Sequence, residues 1–199
     1  MQNWVFDLGA VLLEWNPHAI VSTFTADVDQ QKILIREIFL HPDWLAMDCG
    51  RLAEVEAIPR AAGRTNLKHQ DISALFDIVR ESLTVIPASV AILENAKAKG
   101  RLLYCLSNMS TENYAYLRNK YSFFDYFHGA VISGQENTMK PEKKIFQILL
   151  ERFALNPEET LFIDDRPENT RVAKEFGMSA ITFSDNSECY AKISNYLSS

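Results

Sequence analysis

Trp4-Val5-Phe6-Asp7-Leu8-Gly9-Ala10-Val11-Leu12 is the stretch that decides the fold. An apolar run of aromatic and β-branched residues is broken by one carboxylate and followed by glycine, the pattern of a short strand covered on both faces in a parallel sheet. Such a strand delivers Asp7 to its carboxyl end, where open α/β sheets bind their ligands. No basic residue accompanies Asp7 in sequence. Its carboxylate then needs a metal, a distant lysine or a helix amino terminus to stay ionised, unless it merely caps the turn after the strand.

Working outward, the 199 residues are 47% apolar and 23% charged, enough for one core with or without a small inserted domain. A formal net charge of -6 and a pI near 5.3, with no run of Lys or Arg, argue against a nucleic-acid or acidic-membrane surface. An anionic ligand must then be held by local groups. Cys49, Cys105 and Cys189 are odd in number, widely spaced and without a Cys-x-x-Cys pattern, as free thiols of a reducing cytoplasm would be. No basic-then-apolar leader precedes the first strand and no apolar stretch approaches about 18 residues. A soluble, cytoplasmic protein is expected.

Asn16-Pro17 reads as an N-cap followed by proline at the first helical position. From there the apolar residues recur at helical spacing: Ile33, Leu34, Ile38 and Phe39, then Ile72, Leu75, Phe76, Val79 and Leu83. No strand-like alternation interrupts residues 16–86. This block is expected to be a small helical bundle inserted after the first strand, with His41-Pro42-Asp43-Trp44 and Asp48-Cys49-Gly50-Arg51 as irregular joints. After Pro87 a βα alternation begins: helix 88–99, strand 102–106, helix 111–120, strand 129–132, helix 142–153, strand 160–164, helix 167–176, strand 179–183 and a closing helix from about 187. Pro141, Pro157 and Pro167 sit where helices should start, and Gly177 where one should stop. The fold expected is a doubly wound parallel sheet, with a core domain of residues 1–15 and 87–199 and a helical cap of residues 16–86.

On this scheme Asp7 ends the first strand, Ser107-Asn108 the second and Asp164-Asp165 the fourth, while Lys140 lies in the loop after the third. All face one rim. A carboxylate, a hydroxyl with backbone N–H groups, an ammonium and a carboxylate pair suit the handling of a phosphoryl group with a divalent cation. Hard oxygen ligands prefer Mg²⁺. Each residue alone has an ordinary role, as helix cap or solvated charge; their joint placement is what points to a site.

Phe-Asp7-Leu-Gly9-Ala-Val-Leu, Leu-Ser107-Asn108, Lys140-Pro141 and Phe-Ile-Asp164-Asp165-Arg-Pro-Glu-Asn169 resemble the four ordered motifs of the haloacid dehalogenase-like (HAD) hydrolase superfamily. Leu13-Glu14-Trp15-Asn16-Pro17, and Trp44 followed by Asp48-x-Gly50, are similar to its branch of sugar-phosphate phosphatases of the glucose-1-phosphatase type, with a helical cap after the first motif. The resemblance implies a phosphatase of small phosphorylated metabolites, with sugar phosphates the expected substrates. It implies that Asp7 attacks phosphorus to form an aspartyl-phosphate. It also implies that Ser107 and the Asn108 N–H hold phosphoryl oxygens, and that Lys140 neutralises the nucleophile. Asp7, the Gly9 carbonyl, Asp164 and Asp165 would bind Mg²⁺, and Asn169 would support the acidic loop. Gly9, Asn108, Trp15, Trp44 and Asp48 are the expected substrate contacts, with His18 and Arg51 as further candidates from the cap.

The chain departs from the superfamily at Gly9, where most of its phosphatases carry a second aspartate as general acid and base. Such help is worth about 10² to 10⁴ in rate. Two other readings therefore stand beside the phosphatase: a 2-haloacid dehalogenase, whose aspartate attacks carbon without metal, and a non-catalytic member that binds a phosphorylated ligand or a partner. The pair Asp164-Asp165 argues against the dehalogenase, since carboxylates crowding Asp7 repel one another without a cation between them.

Overall fold

A computed structural model describes residues 1–198. The chain opens with β1 (Asn3–Phe6) and then runs through five helices, α1 (Pro17–Phe24), α2 (Val28–Leu34), α3 (Pro42–Asp48), α4 (Glu54–Thr65) and α5 (His69–Ser82). It continues with α6 (Pro87–Ala98), β2 (Leu102–Ser107), α7 (Thr111–Lys120), β3 (Gly129–Ile132), the single turn α8 (Ser133–Glu136) and α9 (Lys143–Arg152). β4 (Thr160–Asp164), α10 (Pro167–Glu175), β5 (Ser179–Thr182) and α11 (Ser187–Ser198) complete it. Among the described residues no helix is long and apolar enough to cross a membrane.

The five strands form one parallel sheet in the order β3-β2-β1-β4-β5, with Phe6 in register with Cys105 on one side and Ile163 on the other. The chain leaves central β1 toward β2 and β3, then returns to build β4 and β5 on the opposite side. That reversal places a crevice at the carboxyl end of β1, where Asp7 follows. Side chains alternate across the sheet with period two. Trp4, Phe6, Leu103, Cys105, Leu161 and Ile163 pack with residues of α6, α7 and α11, whereas Val5, Tyr104, Leu106 and Phe162 pack with α9 and α10. The sheet is thus covered on both faces, which is why its strands read as unbroken apolar runs.

Helices α1 to α5 bury a separate cluster that includes Ile20, Leu34, Trp44, Ile72, Leu75 and Phe76. Trp15 packs against both this cluster and the sheet's own core. The outgoing and returning chains are tied together, Glu14 N–H donating to the Thr84 carbonyl at 2.7 Å and Ile86 N–H to the Leu12 carbonyl at 2.9 Å.

Three local expectations change. His41-Pro42-Asp43-Trp44 is the start of α3 and not a joint: the imidazole Nδ1 accepts the Asp43 N–H at 3.1 Å, with Pro42 at the first helical position. Pro157 opens a single 3₁₀ turn, Pro157–Glu159, that runs directly into β4. Pro141 follows a cis peptide bond from Lys140 and precedes α9 by two residues. Asp48-Cys49-Gly50-Arg51 is the expected joint, with Gly50 at φ +73°. The three cysteines are buried and unpaired.

Candidate active site

The centre of the site is the Lys140 ammonium, fully sequestered beneath the carboxyl ends of β1, β2 and β4. Its Nζ lies 2.8 Å from Asp7 Oδ2 and 2.6 Å from Asp164 Oδ2, and donates to the Leu106 carbonyl at 2.8 Å. Burial works against its charge, but Asp7 and Asp164 outweigh that and hold its pKa above the usual lysine value. Lys140 is therefore an ammonium at neutral pH.

Asp7 is kept in place by the Leu8 N–H, which donates to Oδ1 at 2.7 Å, and by the Ser107 hydroxyl. Burial pushes Asp7 up to about 7 against the pull of Lys140, with the Asp164 charge adding to the rise. Asp165 is also raised, by burial and by Asp164. One carboxylate oxygen from each of Asp7, Asp164 and Asp165 lies within 4.8 Å of the others. Were all three carboxylates ionised, one ammonium would leave two negative charges unbalanced there. A divalent cation fits that deficit, and an all-oxygen donor set fits Mg²⁺.

The three acids are not equivalent. Asp7 and Asp165 face the open cavity, whereas Asp164 lies behind them, fully buried. Asp164 Oδ1 accepts the Arg166 N–H at 2.9 Å and the Asn169 amide at 2.8 Å, and its Oδ2 takes Lys140. Asn169 thus reaches the acidic loop from α10, and its buried Oδ1 has no partner among the described residues.

Above this floor lies a cavity of about 480 Å³, within the usual span for small-molecule sites. Asp7, Gly9, Ser107, Asn108 and Asp165 form its floor, and Trp15, Trp44 and Asp48 its wall, so the expected substrate contacts Gly9, Asn108, Trp15, Trp44 and Asp48 all reach one space. Asn108 has a further role, since its side chain bonds the Lys140 backbone. His18 reaches the cavity. Arg51 does not: it donates to the Asn137 carbonyl at 3.3 Å and stands 4.0 Å from Glu142.

The wall is largely apolar. Trp15, Phe39 and Trp44 form an aromatic group with centroid separations of 4.8 to 6.0 Å, and Leu40 and Leu45 stand exposed at its rim. Ile35 and Phe39 come from a π-helical turn, Ile35–Phe39, that follows α2. The extra residue in that turn re-aims this face into the cavity, something helical periodicity alone does not show. Asn113, one turn into α7, and Arg166, beside the acidic pair, also line the cavity and were not singled out from sequence. Asn113 had a signal, being three residues after the N-cap Ser110, whose hydroxyl accepts its N–H at 3.3 Å.

The model of the haloacid dehalogenase-like hydrolases matches residues 16–177. The chain belongs to that family. It is 26% identical over 182 residues to the sesquiterpene phosphatase astK of Aspergillus oryzae, an overlap of 92% of this chain and 89% of the relative. Among solved structures it is similar to the HAD family enzyme bt-2542 of Bacteroides thetaiotaomicron in complex with magnesium and inorganic phosphate, with a TM-score of 0.75 and 24% identity over 94% of this chain and 98% of that one. The fold is also shared with the L-2-haloacid dehalogenase of Xanthobacter autotrophicus, solved with chloropropionic acid covalently bound, at a TM-score of 0.68 and 20% identity over 96% and 81% of the two chains. Fold alone therefore does not separate phosphorus from carbon as the centre attacked. The protein is a HAD-like hydrolase with a phosphatase among its relatives.

Proposed function

We propose that this HAD-like hydrolase is a Mg²⁺-dependent phosphatase of small phosphorylated metabolites. The observation that carries the reading is the charge imbalance around Lys140, where Asp7, Asp164 and Asp165 converge on a single ammonium. A carbon-attacking dehalogenase works without metal and has no use for that surplus; a phosphoryl site with a bound cation does. Asp7, Asp165, the Gly9 carbonyl and Asp164 would hold Mg²⁺, which when bound neutralises charge on the phosphoryl oxygens.

The chain's own residues take the remaining roles. Asp7 attacks phosphorus and becomes an aspartyl-phosphate that water hydrolyses. Ser107 and the Asn108 N–H bind phosphoryl oxygens. Lys140 favours the ionised form of Asp7 against its burial and offsets charge in the transition state. Residues 16–86 act as a cap over a core of residues 1–15 and 87–199, and the cap excludes bulk water from the cavity. The three unpaired cysteines suit a reducing cytoplasm.

Two substrate classes follow from the cavity. Sugar phosphates fit the indole faces of Trp15 and Trp44, with Asp48, His18 and Asn113 as hydroxyl partners. The weight of the wall, Ile35, Phe39, Leu40, Leu45 and Met109, favours a second reading, a phosphate ester of an apolar alcohol, and the relative named for sesquiterpene phosphates points the same way.

Phosphate release is the test, with hexose phosphates, prenyl monophosphates and p-nitrophenyl phosphate, in Mg²⁺ or EDTA, for the wild type and Asp7→Asn. Turnover that needs Mg²⁺ and vanishes in Asp7→Asn is expected, and the preferred ester identifies the class. Thermal protection by a phosphate ester without any turnover would replace the phosphatase with a ligand-binding role.

A further inference from the structure

Position 9 lacks the carboxyl that would serve the leaving oxygen, yet the cavity contains one more carboxyl that the roles above leave uncommitted to chemistry. We propose that Asp48, which lines the same cavity as Asp7, is the general acid and base of this site. The proposal rests on the phosphatase reading.

Asp48 is the last residue of α3, and its position is fixed to the core from both sides. Its carbonyl accepts the Ser133 hydroxyl, and Ser133 Oγ in turn accepts the Met109 N–H at 2.9 Å. Two residues on, Gly50 packs so closely on Gly134 that a Cβ there would lie 2.2 Å from the Gly134 carbonyl oxygen. The Asp48 side chain accepts the Ser110 backbone N–H and the Trp44 indole N–H. Ser107, at the other end of the same loop, hydrogen-bonds Asp7. The two carboxyls thus grip opposite ends of a stretch of three peptide links, at most about 10 Å long, and both border one cavity. A phosphoryl group on Asp7 would lie beside the Ser107–Ser110 loop, in the cavity that the Asp48 carboxyl also borders.

The charged groups around Asp48 are already committed. Glu54 is 2.7 Å from Arg80, Arg51 is turned to Asn137 and Glu142, and Asp7 and Asp164 hold Lys140. Among titratable side chains, the exposed His18 of α1 also lines the cavity. Burial is the first cause of the rise that takes Asp48 to about 7, where a proton donor and acceptor is most effective at neutral pH.

The steps balance. As Asp7 bonds to phosphorus and the ester P–O bond breaks, the Asp48 carboxylic acid gives its proton to the leaving oxygen, releasing the alcohol. The resulting Asp48 carboxylate takes a proton from the water that attacks the aspartyl-phosphate. The P–O bond to Asp7 then breaks, inorganic phosphate leaves, and both side chains return to their starting forms.

The test compares wild type, Asp48→Asn, Asp48→Glu and His18→Asn, with Mg²⁺, on an alkyl phosphate and on p-nitrophenyl phosphate. Nitrophenolate leaves without a proton, so Asp48→Asn should release about one equivalent in a burst and then stall at dephosphorylation. On the alkyl ester it should lose about 10²-fold or more in kcat with little change in KM. His18→Asn, at a residue that borders the substrate, is expected to change KM without a burst, and Asp48→Glu should recover part of the loss.

A second arm uses the space at Gly9, where an added Cβ meets nothing nearer than Trp15 Cβ at 3.8 Å. Gly9→Asp in the Asp48→Asn background should restore alkyl ester turnover. In Asp48→Asn, equal losses on both esters without a burst or a change confined to KM would overturn the proposal, as would the burst appearing in His18→Asn. A folded wild type that releases no phosphate from any ester, or an active Asp7→Asn, would instead bring down the phosphatase reading itself.

Discussion

The Asn108 side chain holds the Lys140 backbone from both sides, its Nδ2 donating to the Lys140 carbonyl at 2.9 Å and its Oδ1 accepting the Lys140 N–H at 2.8 Å. These two bonds join the loop after β2 to the turn that carries the site's one buried ammonium. They fix where Lys140 enters the site, and hence the distance from its Nζ to Asp7. In Asn108→Ala both backbone groups lose their partner, at about 1–2 kcal/mol of stability. Misplacement by about 1 Å costs up to about 10²-fold in rate. Steady-state kinetics should show kcat falling about 10- to 100-fold with KM moving less; an unchanged kcat would mean that Lys140 is positioned by its ion pairs alone.

Lys140→Met removes the cation and keeps the volume. Asp7 and Asp164 are then buried carboxylates facing each other without compensation, a defect worth about 3–5 kcal/mol. Urea melts should show that loss in EDTA, and phosphate release should disappear. Because the surplus negative charge has grown, added Mg²⁺ should recover more stability in this variant than in wild type. Equal Mg²⁺ effects in the two proteins would place the ion away from Asp7 and Asp164.

Gly50, just after α3, packs directly against Gly134 of α8. Its φ of +73° and the Gly134 carbonyl 2.2 Å from where a Cβ would stand leave no room for alanine. Gly50→Ala must push α3 away from α8, and Asp48 with it. A loss of about 1–3 kcal/mol is expected, together with a rise in KM, measurable by thermal melts and initial rates. Loss of stability with unaltered kinetics would show that α3 does not set the cavity wall.

What could be read from the chain, and what could not, follows from the range of the interactions. β1, β2 and β4 were legible because each is a buried apolar run with proline or glycine nearby, and Asp7, Ser107 and Asp164 were legible as polar residues ending those runs. Lys140 was placed in the right loop, yet Asn108 as its clamp was not, because that contact spans 32 residues and no local pattern encodes it. The π-turn at Ile35–Phe39 hides inside a helical periodicity that it shifts by one residue. His41 deceived the reading of α3 because an imidazole occupies the capping place where Ser, Thr, Asp or Asn is the usual signal. Asp48 was expected as a substrate contact from the cap, but its hydrogen bond to Ser110 depends on how α3 docks on the core.

That docking has a consequence for stability as well as for catalysis. Burial raises the Asp48 carboxyl from 3.8 to about 7, so between those values the folded protein holds a proton that the unfolded chain has released. Stability from this group is fully present below about pH 4 and declines as pH rises toward 7, because ionisation is easier in the unfolded chain. Asn at position 48 never ionises, and its side-chain oxygen can still accept the Ser110 N–H. The stability of Asp48→Asn relative to wild type should therefore climb between about pH 4 and pH 7 and level off above. Each pKa unit is nominally about 1.4 kcal/mol, but Asp48 keeps part of its surface on the open cavity, and solvent reduces the total to about 1–2 kcal/mol. Urea midpoints for both proteins across that range check it: a difference that stays flat with pH would mean that Asp48 is ionised throughout, leaving the cavity without an acid at that wall.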